Sequence, residues 1–141
     1  MTNEALKQAI ETSFGRQTLM SSLGAELEEV SPGEVVISLP FRSDLCQQEG
    51  FIHAGVLTAI VDSACGYAAM TLMPEQSEVL TVEYKVNFLR PARGERFQAK
   101  GRVLKAGKTL TVCLGEVFSW EGDKSQLVAM MQATMISVQT R

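Results

Sequence analysis

The sequence predicts an α+β fold in which one antiparallel sheet curls around a single apolar helix. Three observations predict it. Residues 54 to 70 are almost wholly apolar or small, with Asp62 as the only charge in the stretch. Residues 80 to 88 alternate Leu80, Val82, Tyr84, Val86 and Phe88 with polar neighbours at a period of two, the mark of a half-buried strand. Turn sequences at Ser31-Pro32-Gly33, Ala106-Gly107-Lys108 and Glu121-Gly122-Asp123 join further strand-like runs. The resulting order is a helical start, two strands, one buried helix and four strands, with no internal repeat and no linker.

Taken in order, Ala5, Leu6, Ala9, Ile10 and Phe14 fall at helical spacing over residues 3 to 14, and Thr2 or Asn3 can cap the start. Gly15 is expected to interrupt this helix, and a short second piece carrying Leu19, Met20 and Leu23 to end at Gly24. Residues 25 to 30 and 34 to 41 read as a hairpin about the Ser31-Pro32-Gly33 turn. Residues 42 to 53 have no period and read as a loop, the kind of segment that often carries function. The apolar helix over residues 54 to 70 is buried on most sides and stops before Met73-Pro74, because proline disfavours the α conformation of the residue before it. Residues 95 to 105, 109 to 120 and 125 to 138 complete a meander after the strand at 80 to 88.

The chain has 141 residues, enough for one self-sufficient domain over 1–141, with 1–23 as an N-terminal helical segment and 54–70 as the central helix. Thirteen basic residues against sixteen acidic ones give a net charge of -3 without a basic stripe, which argues against a nucleic-acid partner. Cys46, Cys65 and Cys113 are odd in number and widely spaced; they suit a reducing compartment, the cytoplasm, and not a zinc site. The start of the chain does not read as an export signal, and the apolar stretch is too short to span a bilayer.

A carboxylate among Ile60, Val61, Ala64 and Cys65 loses hydration with no counter-ion nearby in sequence. Asp62 therefore needs either a distant partner or a chemical purpose.

Several motifs, in their order and spacing, resemble the hotdog-fold acyl-CoA thioesterases, particularly the PaaI-type (phenylacetate-degradation) and THEM-like branch. They are Leu23-Gly24 with Ser31-Pro32-Gly33-Glu34, Gly50-Phe51-Ile52-His53-Ala54-Gly55, Asp62 nine residues after the histidine, and Val86-Asn87-Phe88-Leu89-Arg90-Pro91-Ala92. The resemblance covers residues 20 to 138 and implies a hotdog fold of about five to six strands around one long helix. It also implies hydrolysis of an acyl-CoA thioester to a free acid and coenzyme A by a homodimer, with dimers pairing into tetramers, and with no cofactor or metal. The family usually carries His-Gly-Gly where this chain has His53-Ala54-Gly55.

Thioester hydrolysis needs a carboxylate that attacks or activates water, and donors that stabilise the developing oxyanion. By resemblance Asp62 is that carboxylate and the Ala54 N–H the donor, with Gly55 beside it. Eight residues of helix separate Ala54 from Asp62, about 12 Å along the axis, so one carbonyl cannot touch both, and a two-fold dimer is the direct solution. Gln47 matches a family glutamine or asparagine that binds the carbonyl or the attacking water, and Gln48 competes for that role. Thr81 matches a serine or threonine that contacts the carboxylate, although the alternation places it on the polar side of its strand. His53, the sole histidine, borders the substrate with a structural role rather than that of a base. Arg90, Arg93, Lys105 and Lys108 are candidates for binding the phosphates of coenzyme A, and Met130, Met131 and Met135 for core packing. Two other functions compete: a hotdog hydroxyacyl-thioester dehydratase, disfavoured because Gln47 and Gln48 stand where a catalytic histidine is needed, and a non-catalytic acyl-CoA binding protein.

Overall fold

The computed structural model of the protein describes residues 1–139. Helix α1 runs Asn3–Arg16, and Thr2 caps it by accepting from the Ala5 N–H at 3.0 Å. Gly15 lies inside α1 and does not end it. The break comes at Gln17, whose extended backbone (φ -82, ψ 97) separates α1 from α2, Thr18–Leu23. Gly24 then closes α2 in the left-handed conformation expected of a C-terminal glycine.

Six strands form one antiparallel sheet in the order β1-β2-β4-β5-β6-β3. They are β1 (Glu26–Ser31), β2 (Glu34–Pro40), β3 (Ser77–Phe88), β4 (Arg96–Ala106), β5 (Leu110–Glu121) and β6 (Lys124–Gln139). The long central helix α3, Ala54–Met70, packs on the concave side, and the loop before it contains a 3-10 turn at Ser43–Leu45 and a bridge between Cys46 and Ile52. The Thr71 hydroxyl closes α3 by donating to Ala68 C=O and accepting from Gly33 N–H, which ties the β1–β2 turn to the helix end.

Burial of α3 explains its composition. Leu57, Ile60, Val61, Ala64, Cys65, Ala68 and Ala69 are buried against the sheet, where a fully buried Leu, Ile or Val contributes about 1.5–3 kcal/mol. The strands approach closely because β4 and β5 present glycine to the helix. A Cβ on Gly101 would lie 2.5 Å from the Ala64 carbonyl carbon, and one on Gly115 would lie 2.5 Å from Val61 Cγ2. Met131 and Met135 are buried in the same cluster, whereas Met130 is half-buried on the other side of β6.

Strand β3 departs from the sequence reading. Strict alternation puts Leu80, Val82, Tyr84, Val86 and Phe88 on one inner face, yet Leu80, Val82, Tyr84 and Phe88 are all exposed. Two causes combine. β3 is an edge strand, and its pairing with β6 slips between Thr81 and Glu83, so that Thr81 faces Met135 while Glu83 faces Thr134. The extra residue, Val82, reverses the phase, as a β-bulge does. Thr81 therefore shares the helix side with Tyr84 and Val86, paired with buried Ala133 and Met131, and Leu80 lies on the outer face with Ile136.

Candidate active site

Asp62 sits in the middle of α3, partly buried, and its partner is a hydroxyl: Thr81 Oγ1 donates to Asp62 Oδ1 at 2.7 Å. The bulge at Val82 is what turns Thr81 to this position, so the doubt raised by strict alternation is removed by the register slip. Burial raises the Asp62 carboxyl above its ordinary range, and the Thr81 hydrogen bond opposes this without cancelling it. Among the described residues the one ion pair, Arg42 with Asp44 at 2.9 Å, lies elsewhere. Thr81 also lies 3.4 Å from Met135 Sδ, which closes the space behind it. A cavity of about 240 Å³ opens beside Asp62 and Thr81, and Ser13, Gln17, Ser63 and Tyr67 also line it.

At the start of α3, His53 is the N-cap. Its Nδ1 accepts from the Gly55 N–H at 2.8 Å, which requires the proton of the neutral ring to be on Nε2. The Gly55 N–H is thus engaged by the cap and is not an open donor beside Ala54. Among the described residues nothing accepts from the Ala54 N–H, which belongs to the unpaired first turn. Ala54 has ordinary dihedrals, so alanine fits where the family carries glycine. Position 55 differs: a Cβ there would lie 3.0 Å from His53 Nδ1, tighter than an ordinary contact, so a side chain would press on the imidazole folded over the helix end.

Gln47 lies in the loop ahead of α3, and its Oε1 accepts from Glu49 N–H at 2.7 Å and Phe51 N–H at 3.0 Å. The carbonyl end of its amide shapes the loop, which leaves the NH2 end for a ligand. Gln48 is exposed. The cationic candidates do not converge within one chain. Arg90 and Arg93 line a cavity of about 430 Å³ together with Lys124, and Arg90 also donates to Leu127 C=O at 2.6 Å. Arg93 stands over the Phe51 ring at 5.4 Å. Lys108 belongs to the β4–β5 turn beside Leu110, which pairs with Ile136, whereas the Arg90 N–H bonds Val128. Those β6 positions are eight residues apart, about 26 Å along an extended strand. Lys105 is on the same remote side as Lys108, paired with Val112.

Sequence reasoning missed a second cluster that lines the Asp62 cavity. Gln17 Oε1 accepts from Ser63 Oγ at 3.1 Å, Gln17 Nε2 donates to Tyr67 Oη at 3.2 Å, and Ser13 Oγ lies 3.2 Å from the same phenol. The spacing 13/17 against 63/67, two i,i+4 pairs, was the signal available, but only the fold brings the two helices together.

Comparison with known proteins assigns this arrangement to a family. The model of the thioesterase superfamily matches residues 49–126, more than half of the chain. A crystal structure of a thioesterase family protein from Silicibacter pomeroyi is 44% identical, with a TM-score of 0.93 over 96% of this chain and 99% of that one. The medium/long-chain acyl-CoA thioesterase YigI of Escherichia coli is 27% identical over 84% of this chain and 86% of its own. The E. coli PaaI protein from the phenylacetic acid degradation operon, at 17% identity, shares the fold with a TM-score of 0.87 over 98% of this chain and 96% of its own. With a Halobacterium salinarum relative the match, 33% identical over 99 residues, takes in 67% of this chain and just under two thirds of that protein's length, 65%. No helix among the described residues is long and apolar enough to cross a membrane. The motifs, the curled six-stranded sheet around α3 and these matches together make the chain a member of the thioesterase superfamily with the hotdog fold.

Proposed function

We propose that the protein is an acyl-CoA thioesterase that hydrolyses its substrate to a free carboxylic acid and coenzyme A. The observation that carries this reading is Asp62, a desolvated carboxylate with a hydroxyl partner and, among the described residues, no cation, facing a cavity on a helix whose first N–H has no acceptor among those residues. In the general-base form, Asp62 takes a proton from water as the oxygen attacks the thioester carbonyl. The tetrahedral oxyanion accepts from the Ala54 N–H at the positive end of α3, the C–S bond breaks, and the departing thiolate takes a proton. In the nucleophilic form Asp62 attacks directly and water hydrolyses the mixed anhydride. Both forms draw on water and the chain's own groups, and neither calls for a metal or cofactor.

Ala54 and Asp62 are separated by about 12 Å of helix, so each site pairs Ala54 of one subunit with Asp62 of another across a two-fold axis. The exposed edge strand β3, with Val82 and Tyr84 uncovered, supports such pairing, since natural proteins rarely leave an apolar edge open. The outward row of Leu80, Ile136 and Leu110, side by side in the register, supports pairing of dimers into tetramers. The Gln47 NH2 orients the carbonyl or the water, with Gln48 beside it. His53 holds the donor end in shape, and Arg90 and Arg93 meet the phosphates of coenzyme A, joined by Lys108 only if a second subunit brings it near. The free thiols Cys46, Cys65 and Cys113 suit the reducing cytoplasm.

The test is thiol release from short, medium, long and aryl acyl-CoAs by the wild type and by Asp62→Asn. We expect turnover in the wild type and a loss of about 100-fold or more in kcat for the variant, the scale of an acid-base group. Wild-type turnover in a correctly folded Asp62→Asn protein would refute the assignment.

A further inference from the structure

Two cavities adjoin near the start of α3 and share Arg93 and Glu121. Ile52, two residues before Ala54, donates to Ala92 C=O at 3.1 Å, so Arg93 is carried at the same end of α3 as the proposed oxyanion donor. The first cavity gathers Arg90, Arg93 and Lys124, none of which forms an ion pair among the described residues. Arg90 is held by Leu127 C=O at 2.6 Å, which leaves the rest of its guanidinium for a ligand. Ser119 lines the same cavity from the helix side of β5, in phase with buried Cys113 and Val117. It is 6% exposed, and its hydroxyl has no hydrogen-bond partner among the described residues. Buried polar groups are as a rule hydrogen-bonded, so this hydroxyl lacks a partner that a ligand can supply.

The second cavity differs in kind. Phe41 and Phe51 supply aromatic surface, and the Arg93 guanidinium stands 5.4 Å from the centre of the Phe51 ring. Around them are the carboxylates of Glu49, Glu95 and Glu121, with Arg93 the one cation in the lining. Glu95 is steadied by the Gly122 N–H, which donates to its Oε1 at 2.6 Å. Across Arg93 the surface therefore passes from three cations and a spare hydroxyl to aromatic rings and carboxylates. Phosphate oxygens accept from the first set. A purine stacks on aromatic and guanidinium faces, and its exocyclic amine donates to a carboxylate.

We propose that the two cavities together bind the nucleotide end of coenzyme A, with phosphate on Arg90, Arg93, Lys124 and Ser119 and adenine against Phe41, Phe51 and Arg93. The substrate is then a coenzyme A thioester and not an acyl carrier protein, whose phosphopantetheine arm has no base to fill the second cavity. This rests on the thioesterase reading and deepens it. Ser119 and Phe41 are specificity-determining residues with no part in the bond cleavage.

The experiment measures kcat/KM for one acyl group presented on coenzyme A, on pantetheine and on acyl carrier protein, with wild type, Arg93→Ala, Ser119→Ala and Phe41→Ala. The wild type should prefer acyl-CoA to acyl-pantetheine by about 100-fold and should cleave the carrier-protein thioester no better than acyl-pantetheine. In each variant the acyl-CoA to acyl-pantetheine ratio should fall about 10-fold, the scale of one charge-assisted hydrogen bond or one stacked base. A variant that is merely misfolded lowers both rates and leaves the ratio in place. A wild-type ratio near one, carrier-protein turnover equal to that of acyl-CoA, or an unchanged ratio in Ser119→Ala or Phe41→Ala overturns the proposal. If Asp62-dependent hydrolysis persists under any of these outcomes, the nucleotide site alone fails; if the wild type cleaves none of the three thioesters, the thioesterase reading fails with it.

Discussion

Thr81 on the edge strand donates a 2.7 Å hydrogen bond to Asp62 in the middle of the central helix, across nineteen residues of sequence. Burial and this bond act on the carboxyl in opposite directions, burial raising it and Thr81 lowering it, with burial the larger. In the proposed mechanism the ionised carboxylate is the working form, so the acid limb of kcat/KM should lie above the ordinary carboxylate range. Thr81→Val removes the opposing influence and should move that limb to higher pH, with a greater loss of rate at pH 5 than at pH 8. A pH–rate profile on both proteins checks this.

The same carboxyl should destabilise the fold at neutral pH. Its folded pKa is raised, so the stability it contributes is present below the unfolded value of 3.8 and is lost as pH rises through the folded one. Asp62→Asn cannot ionise and should melt above the wild type at pH 7, with the two curves converging as the pH is lowered toward 3.8. Thermal unfolding across that range gives the answer, and a gain in Tm alongside a loss of turnover is the pattern expected of a functional site.

His53 and Gly55 act as one device at the start of α3. His53→Ala removes the side-chain cap on the Gly55 N–H and should cost on the order of 1 kcal/mol, read as a lower midpoint in urea. Gly55→Ala should cost a similar amount while keeping the imidazole, because the added Cβ, 3.0 Å from Nδ1, displaces the ring. If a Gly55→Ala protein retained wild-type stability and activity, the cap would be dispensable.

The edge of β3 should be the pairing surface. Val82→Asp combined with Tyr84→Asp puts charge on two exposed positions of that strand and should yield a monomer in sedimentation. Its activity should fall by about 100-fold or more, since in the proposed arrangement each chain alone holds only half of each site. A monomer with full activity would show that one chain suffices.

The fold was legible where a pattern lies within one stretch of sequence. The apolar run 54–70 coincides with α3, and the turns expected at residues 31–33, 106–108 and 121–123 each begin on the last residue of an observed strand and run into the connection that follows it. What was hidden depends on pairing between distant segments. The bulge at Val82 exists only in the register against β6, so the alternation of residues 80 to 88 could not show that Thr81 turns inward or that Leu80 turns out. Gly15 looked like a helix stop, but it is exposed and tolerated inside α1, and the chain breaks two residues later, where Gln17 reaches α3. In the candidate site, the place of Asp62 mid-helix and of Ala54 at the helix start was readable from the sequence pattern, whereas the Thr81–Asp62 contact was only what the resemblance implied until the register slip was seen. The engagement of Gly55 by His53, the separation of Lys108 from Arg90 and the Gln17–Tyr67 clasp were not readable, because each is a fact of side-chain direction or of distance across the sheet.

The claim that each site is shared between two subunits is tested most directly by subunit complementation. Ala54→Pro deletes the N–H at the first position of α3, where proline is well tolerated, and the extended backbone of His53 (φ -58, ψ 138) suits a following proline. Alone, Ala54→Pro and Asp62→Asn should each be nearly inactive. Mixed in equal amounts, unfolded and refolded together, they should recover about a quarter of wild-type activity, because half of the dimers are mixed and each mixed dimer holds one intact site out of two. No recovery, with mixed dimers confirmed by native mass spectrometry, would contradict the shared site.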